Sequence, residues 1–172
     1  MTQAGDFGAA GDGVTDDTAA LQHAIDEGVG ELVIPRGDYR ITQPIVINLA
    51  ATGRTSIRGE GGTCRILMQG QGPAFSFVGT HKGSAAPNSF QAIAWTHERM
   101  PMISTLEIIG EHPEADGIQI EGVMQPVITG VLLRQLRHGI RITGRARNVL
   151  ISHCQIYHNL GVGIYLDSVN LH

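Results

Sequence analysis

The chain has 172 residues and a formal charge of −4, enough for one sizeable core and too short for two comfortable domains. No apolar run approaches the roughly 18 residues of a membrane span, so no membrane partner is expected. Nor is nucleic acid, because there is no basic excess and the aromatics, 5% of the chain, are not interleaved with basic residues. The start, Met1 to Asp6, has no basic and no apolar segment of the kind that directs secretion. An extracellular or periplasmic location would therefore require a leader already removed.

Taken in chain order, residues 1–29 read as a short loop and one helix. Gly8, Gly11 and Gly13 break regular structure, Thr15 or Asp16 is placed to cap the first helical turn, and Gly28 ends it. Asp16 and Asp17 sit where the positive end of a helix dipole favours carboxylates. Ala20, Leu21, Ala24 and Ile25 form one apolar stripe that must be buried against something. From residue 30 the period changes to short β-type runs: Leu32-Val33-Ile34, Tyr39-Arg40-Ile41, Ile45-Val46-Ile47 and Ser56-Ile57-Arg58. Pro35, Gly37, Pro44, Gly53 and Gly59 separate them, at intervals too close for strand–helix–strand units. Cys64 and Cys154 have no metal-ligand spacing and read as small buried apolar residues. Gly79 to Pro101 is a long excursion containing Trp95, and such loops often form groove walls.

The last third carries an internal repeat. Gly117-Ile118-Gln119-Ile120-Glu121 matches Gly139-Ile140-Arg141-Ile142-Thr143 and Gly163-Ile164-Tyr165-Leu166-Asp167, at steps of 22 and 24 residues. Leu106-Glu107-Ile108, Val131-Leu132-Leu133 and Cys154-Gln155-Ile156 recur in phase with it, at steps of 25 and 23. Repeats of this length, with several short strands in each, mark a solenoid. Alternation turns Ile118/Ile120, Ile140/Ile142 and Ile164/Leu166 inward. Gln119, Arg141 and Tyr165 then form an outward ladder with about 4.8 Å between rungs. The leucine-rich-repeat spacing is missing. The expected fold is all-β, a right-handed parallel β-helix of about 22–25 residues per rung with a short N-terminal capping helix. It reads as one domain, 1–29 the loop and cap and 30–172 the rungs. The helix stripe is suited to cover the first rung, whose strand edges would otherwise invite aggregation. Val169-Asn170-Leu171-His172 reads as the start of a further rung. The expectation is a piece of a longer protein; the alternative is a homo-oligomer that closes the open C-terminal end.

The segment from Asp6-Phe7-Gly8-Ala9-Ala10-Gly11-Asp12-Gly13 through Thr15-Asp16-Asp17 to Ala24-Ile25-Asp26 closely resembles the opening of the pectate-lyase superfamily. So do Leu32-Val33-Ile34-Pro35-Arg36-Gly37-Asp38-Tyr39 and Ile57-Arg58-Gly59-Glu60-Gly61-Gly62, and together they cover residues 6–70. That superfamily includes polygalacturonases, rhamnogalacturonases and phage tailspike depolymerases. The resemblance implies a β-helix acting on a polysaccharide, as a glycoside hydrolase or a lyase on a pectin- or uronate-type substrate. The alternative it leaves open is a non-catalytic carbohydrate-binding or structural module such as a virion-type adhesin. An opening shared by so many activities speaks for fold more than for reaction.

In that superfamily the polysaccharide runs along the outward ladder, which here offers Gln119, Arg141 and Tyr165, then Glu121, Thr143 and Asp167. Tyr165 is suited to stack on a sugar ring, Arg141 to hold a uronate carboxylate, and the acids to accept hydroxyl protons. The plainer reading is a solvated polar face. Glu114-Ala115-Asp116-Gly117 resembles the Asn-Thr-Asp-Gly motif that supplies a catalytic carboxylate in polygalacturonases, but Glu114 and Ala115 replace the first two residues. Arg137-His138-Gly139 stands where that family carries paired aspartates. Asp116 is thus the candidate catalytic acid, with His138 an unusual partner one rung on; a turn aspartate before glycine is the commoner explanation. Glu121 and Asp167, two rungs apart, lie near the roughly 6.5–9.5 Å that inverting hydrolysis requires. Residues 134–147 carry five arginines and no acid, which suits carboxylate binding, although solvated turn residues would look the same. Trp95 is a sugar platform or a loop anchor. Glu111 to Asp116 gathers potential ligands, but Pro113 and the mixed types favour a metal-free loop. No cofactor is implied.

Overall fold

The computed structural model describes residues 2–169; the expected start of a further rung at 170–172 lies outside them. After β1 (Thr2–Gln3) and β2 (Asp12–Asp16), helix α1 (Thr18–Asp26) leads into five coils. The first holds β3 (Glu31–Ile34), β4 (Gly37–Ile41) and β5 (Ile45–Asn48), followed by the single turn α2 (Leu49–Thr52). The second holds β6 (Ser56–Gly59), β7 (Cys64–Met68) and β8 (Gly72–Val78). The third holds β9 (Met102–Ser104), β10 (Glu107–Gly110) and β11 (Ala115–Glu121). The fourth holds β12 (Val127–Thr129), β13 (Leu132–Arg134) and β14 (Ile140–Thr143), and the fifth β15 (Leu150–Ser152), β16 (Gln155–Tyr157) and β17 (Ile164–Leu166).

Corresponding strands pair in parallel into three sheets: A (β1-β3-β6-β9-β12-β15), B (β2-β4-β7-β10-β13-β16) and C (β5-β8-β11-β14-β17). The fold is a right-handed parallel β-helix. Its register stacks like on like. Leu32, Ile57, Ile103, Ile128 and Ile151 form one column; Tyr39, Ile66, Ile108, Leu133 and Ile156 form a second. Sheet C contributes Ile45, Phe75, Ile118, Ile140 and Ile164, and beside them Ile47, Phe77, Ile120, Ile142 and Leu166. The columns are buried through the fourth coil and open at the fifth, where Ile164 and Leu166 are exposed; their buried part supplies most of the stability, at about 25 cal/mol per Å² of apolar surface removed from water.

The repeated glycines have a steric cause. A Cβ on Gly117 would lie closer than 3.0 Å to the carbonyl oxygen of Gly139, and one on Gly139 closer than 3.0 Å to that of Gly163. These corners admit no side chain, because the next rung's backbone passes where it would point.

The N-terminal cap differs from expectation in detail. The helix starts at Thr18, with Asp17 at its N-cap position. Asp16 Oδ1 accepts the Thr18 N–H at 3.1 Å, as a capping residue would. Asp17 is buried and turns back, accepting the Ala10 and Gly11 N–H groups at 2.7 and 3.1 Å. It ties the glycine-rich opening to the helix. Strands β1 and β2 fall in the stretch expected to be loop: they extend sheets A and B beside β3 and β4, and their register is set by those neighbours rather than by any apolar alternation.

Sheet C receives no such extra strand, and α1 closes its edge instead. Leu21, Ala24 and Ile25 are fully buried on the core. The Gln22 amide mimics a peptide group: its Oε1 accepts the Val46 N–H at 2.8 Å and its Nε2 donates to the Val46 carbonyl at 2.9 Å. Thr18 Oγ1 accepts the Thr42 N–H at 2.9 Å.

The 79–101 excursion is itself folded, with short helical turns at Pro87–Ser89 and Ala94–Glu98. Buried Glu98 accepts the N–H and hydroxyl of Thr80 at 2.8 and 3.0 Å, and the His81 ring stacks on Phe90 with centroids 4.1 Å apart. Both cysteines are free thiols, and burial pushes Cys64 up to about 12, so it stays an unreactive core residue.

Because Gln22 satisfies the free edge of β5, Gln22→Ala is expected to cost about 1–2 kcal/mol in denaturant unfolding. It is also expected to raise the fraction of self-associated protein in sedimentation velocity. An unchanged midpoint would mean that solvent serves that edge equally well.

Candidate functional site

The three outward faces differ in how they use their charges. On sheet B, Arg65 Nε donates to Asp38 Oδ1 at 2.6 Å, and Arg134 Nε donates to Glu107 Oε1 at 2.7 Å. On sheet A, Arg58 pairs with Glu31 at 3.2 Å. These are cross-strand pairs that neutralise their own faces. Sheet C is built otherwise. Its outward row runs Val46, Ser76, Gln119, Arg141 and Tyr165, with no acid in the row itself.

The acid that Arg141 reaches lies at the corner where sheet B turns into sheet C. Asp116, 1% exposed, is the second residue of β11 there, and the register places it one rung before Arg137 and His138. Arg137 grips it in two places: Nε donates to Oδ1 at 2.9 Å and Nη2 to Oδ2 at 2.7 Å. The His138 backbone N–H donates to Oδ1 at 3.1 Å, and Arg141 Nη1 to Oδ2 at 3.3 Å. Burial opposes ionisation of Asp116. The hydrogen bond and charge of Arg137, the charge of Arg141 and the His138 N–H outweigh it, holding the carboxyl below its usual 3.8. An aspartate so held is ionised and its oxygens are occupied, which suits it to positioning two guanidiniums and poorly to giving a proton.

Arg141 is less completely engaged. Its contact with Asp116 is 3.3 Å and its contact with Gln119 Oε1 is 3.5 Å. Its guanidinium lies 6.0 Å from the centre of the Tyr165 ring, within reach of a cation–π interaction. The same ring, on a residue 39% exposed, is stacked at 5.9 Å and 24° against His138. His138 Nδ1 accepts the Val162 N–H at 3.1 Å, so the neutral imidazole carries its proton on Nε2 and presents a donor. Asp116 meets His138 through the histidine backbone and not through its ring. Glu114 also lies 3.9 Å from Arg137, so two acids face two arginines; the arrangement is a donor-rich patch floored by an aromatic ring, chemically suited to an acceptor-rich group beside an apolar face.

The expected residues fall into two places. Asp116, Gln119, His138, Arg141 and Tyr165 come together. Glu121, Thr143 and Asp167 continue the face toward the far end of the strands: Glu121 stacks on Thr143, and the Asp167 N–H donates to the Ile142 carbonyl at 2.9 Å. Trp95 lies apart, in the excursion that leaves sheet C after β8 and returns to sheet A at β9. Arg137 is the member whose part the sequence did not single out. The signal was present, in that Asp116 directly precedes one repeat glycine and Arg137 stands two before the next. Among the described residues no group of three or more His, Cys, Asp or Glu is disposed to hold a metal ion.

The three parallel sheets and their stacked coils define a parallel β-helix. The chain belongs to the rhamnogalacturonase A/epimerase, pectate lyase-like family, whose model matches residues 1–96, a family of polysaccharide-acting β-helix proteins. Over 41 residues, 22% of this chain, it is 56% identical to mannuronan C5-epimerase AlgE5 of Azotobacter vinelandii, and the match covers 4% of that protein. Among solved structures it resembles the A-module of mannuronan C-5 epimerase AlgE4 of the same organism, with a TM-score of 0.72 and 22% identity. That match covers 99% of this chain and 50% of the module. It also resembles PfbA, a surface adhesin of Streptococcus pneumoniae, with a TM-score of 0.64 and 20% identity over 90% of this chain and 38% of the adhesin. The chain thus spans half or less of each of these three proteins, and likeness to the two solved structures, at 22% and 20% identity, is a likeness of fold.

Removing the Asp116 carboxylate leaves Arg137 and the His138 N–H without their partner. Asp116→Ala is expected to destabilise by about 2–3 kcal/mol, less than a fully buried pair because Arg137 is one-third exposed. The folded-state pKa lies below the unfolded one, so the carboxylate's contribution is complete above the ordinary aspartate range and is lost as pH falls through the folded value. Thermal melts should therefore converge for wild type and variant at strongly acidic pH and separate above pH 4.

Proposed function

We propose that the outward face of sheet C binds a uronate-bearing polysaccharide, with Arg141 as the carboxylate anchor and Tyr165 as the ring platform. Gln119, His138, Glu121 and Asp167 serve its hydroxyl groups. The observation that carries this reading is the state of Arg141, a cation held in place by Asp116 and Tyr165 but bonded only at 3.3 and 3.5 Å. A bidentate carboxylate offers it shorter, charge-assisted hydrogen bonds of about 2.8 Å. Asp116 and Arg137 are positioning residues in this account. The mannuronan named in the epimerase relatives is a polymer of a uronic acid, which supports the same ligand class.

Neutralising a uronate carboxylate makes its C5 proton more acidic, so a guanidinium here serves any enzyme that begins by removing that proton, whether a lyase or an epimerase. A hydrolase instead needs two carboxyl groups with room for water. Glu121 and Asp167, at two rungs or about 10 Å of backbone separation, are the pair that would supply them. A second reading, a non-catalytic binding module, is favoured by one observation: the acid and the imidazole nearest Arg141 are both engaged in internal hydrogen bonds.

Calorimetric titration with polygalacturonate, polymannuronate and a neutral glucan separates these readings from simple stickiness. Arg141→Gln is expected to weaken polyuronate binding at least tenfold, about 1.4 kcal/mol, and to leave neutral glucan unaffected. Equal loss on both, or none on either, would remove Arg141 from the role. Release of unsaturated products or reducing ends in the same mixtures would assign the chemistry; binding without either would support the module.

A further inference from the structure

At the opposite corner, where sheet C turns into sheet A, the excursion carrying Trp95 folds against the column of Gln125 and Asn148. Together with Pro87, Phe90, Met124 and Arg147 they line a cleft of about 200 Å³. Two aromatic rings are held there by arginines. The Arg99 guanidinium lies 5.3 Å from the centre of the Trp95 indole, and that of Arg147 lies 5.0 Å from the Phe90 ring. The rings themselves are 5.4 Å apart and tilted by 55°. Arg54 Nη2 donates to the Trp95 carbonyl at 3.2 Å, Arg147 Nη1 donates to the Ala85 carbonyl, and Trp95 keeps 40% of its surface exposed.

The same two arginines orient two amides. Arg99 donates through Nε and Nη2 to Gln125 Oε1 at 3.1 and 2.8 Å, and Arg147 Nε donates to Asn148 Oδ1 at 2.9 Å. A guanidinium has no acceptor, so each amide must turn its oxygen to the arginine and its NH₂ group away. Gln125 and Asn148 stand on adjacent rungs: Met124 bridges to Arg147, and the Gln125 N–H donates to the Arg147 carbonyl at 2.8 Å. Both backbones are left-handed, with φ of 52°, a strained state for a non-glycine residue that this corner imposes. The result is two oriented NH₂ donors on adjacent rungs, whose backbones are about 4.8 Å apart, beside an exposed indole, in a cleft smaller than the roughly 300–1,000 Å³ of drug-sized ligands.

We propose that this cleft is a second saccharide site, separate from the sheet C face. It takes a single neutral pyranose unit, stacked by its C–H face on Trp95 and hydrogen-bonded through its hydroxyl oxygens to Gln125 and Asn148. Every element matches that ligand. Trp offers a large, rigid, amphipathic surface at little entropic cost. The amides are pre-oriented donors that need no reorganisation on binding. The arginines are already engaged with carbonyl oxygens and rings, which leaves the uncharged amide donors to meet the ligand. The site does not depend on the sheet C reading, since it shares no residue with it.

Trp95 is the only tryptophan of the chain, so its fluorescence reports the cleft directly. The experiment titrates the full chain with short neutral oligosaccharides (gluco-, manno- and galacto-configured) and with an oligouronate as the contrast. A saturable change is expected with at least one neutral sugar, retained in Arg141→Gln. Gln125→Glu and Asn148→Asp keep an oxygen for the arginine that binds there and exchange the NH₂ donor for a charged acceptor; each should weaken the titration about tenfold. Absence of any saturable change up to millimolar sugar would overturn the proposal. So would a change that persists undiminished in both amide variants, or one abolished by Arg141→Gln. Circular dichroism melts of the variants, expected to superimpose on wild type, show that a lost signal is a lost site.

Discussion

Where sheet B turns into sheet C, the backbone of each rung passes so close to the one below that no side chain fits between them. Gly117 and Gly139 sit at that approach, and a Cβ on either would strike the next rung's carbonyl oxygen. The closeness is also what lets the ladder start there, with the Gly117 N–H donating to the His138 carbonyl at 2.9 Å and the Ile118 N–H to the Gly139 carbonyl at 3.0 Å. Once the glycines are in register, everything after them is in register too: isoleucine on isoleucine inward, Gln119 on Arg141 on Tyr165 outward. Residues just before the glycines are brought together by the same constraint. Asp116 and Arg137 are 21 residues apart in sequence and form a bidentate pair because their glycines stack.

The proposed ligand face rests on electrostatics. Sheets A and B present arginines already matched by acids on neighbouring strands, and such faces gain little from an external anion. On sheet C the acid nearest Arg141 lies at the corner, buried and shared between two arginines, so that Arg141 reaches outward with part of its hydrogen-bonding capacity unused. At the other corner, arginines again organise the surface, but there they grip carbonyl oxygens and aromatic rings and turn amide donors outward. One residue type thus produces two surfaces of different chemistry, according to what it is bonded to.

Much of this is legible in the sequence. The rung length, the inward isoleucines and the outward ladder all follow from a period visible in the glycines, because a solenoid repeats its local constraints. The buried stripe of α1 was visible as helical spacing, whereas the edge-sealing job of Gln22 was not, since nothing in a lone glutamine shows which strand it will face. Strands β1 and β2 were hidden because their pairing comes from β3 and β4 and not from their own pattern. Asp17 looked like a helix-dipole residue and instead holds Ala10 and Gly11. At the candidate site, Asp116, His138, Arg141 and Tyr165 were picked out, but the choice between an acid catalyst and a clamp depended on whether Arg137 grips the aspartate. Two residues at arm's length in sequence cannot show that. The order inside the 79–101 excursion, with Glu98 and His81 buried beneath it, rests on long-range contacts that carry no period at all.

Sheet C, and not A or B, is the proposed carbohydrate face. Hydrogen exchange of the full chain with and without a saturating oligouronate tests it most directly. Slowed exchange confined to the strands and corners around 114–121, 137–143 and 161–167 is the predicted result. Protection centred on the sheet B strands that carry Asp38, Arg65, Glu107 and Arg134, with sheet C unchanged, would contradict it.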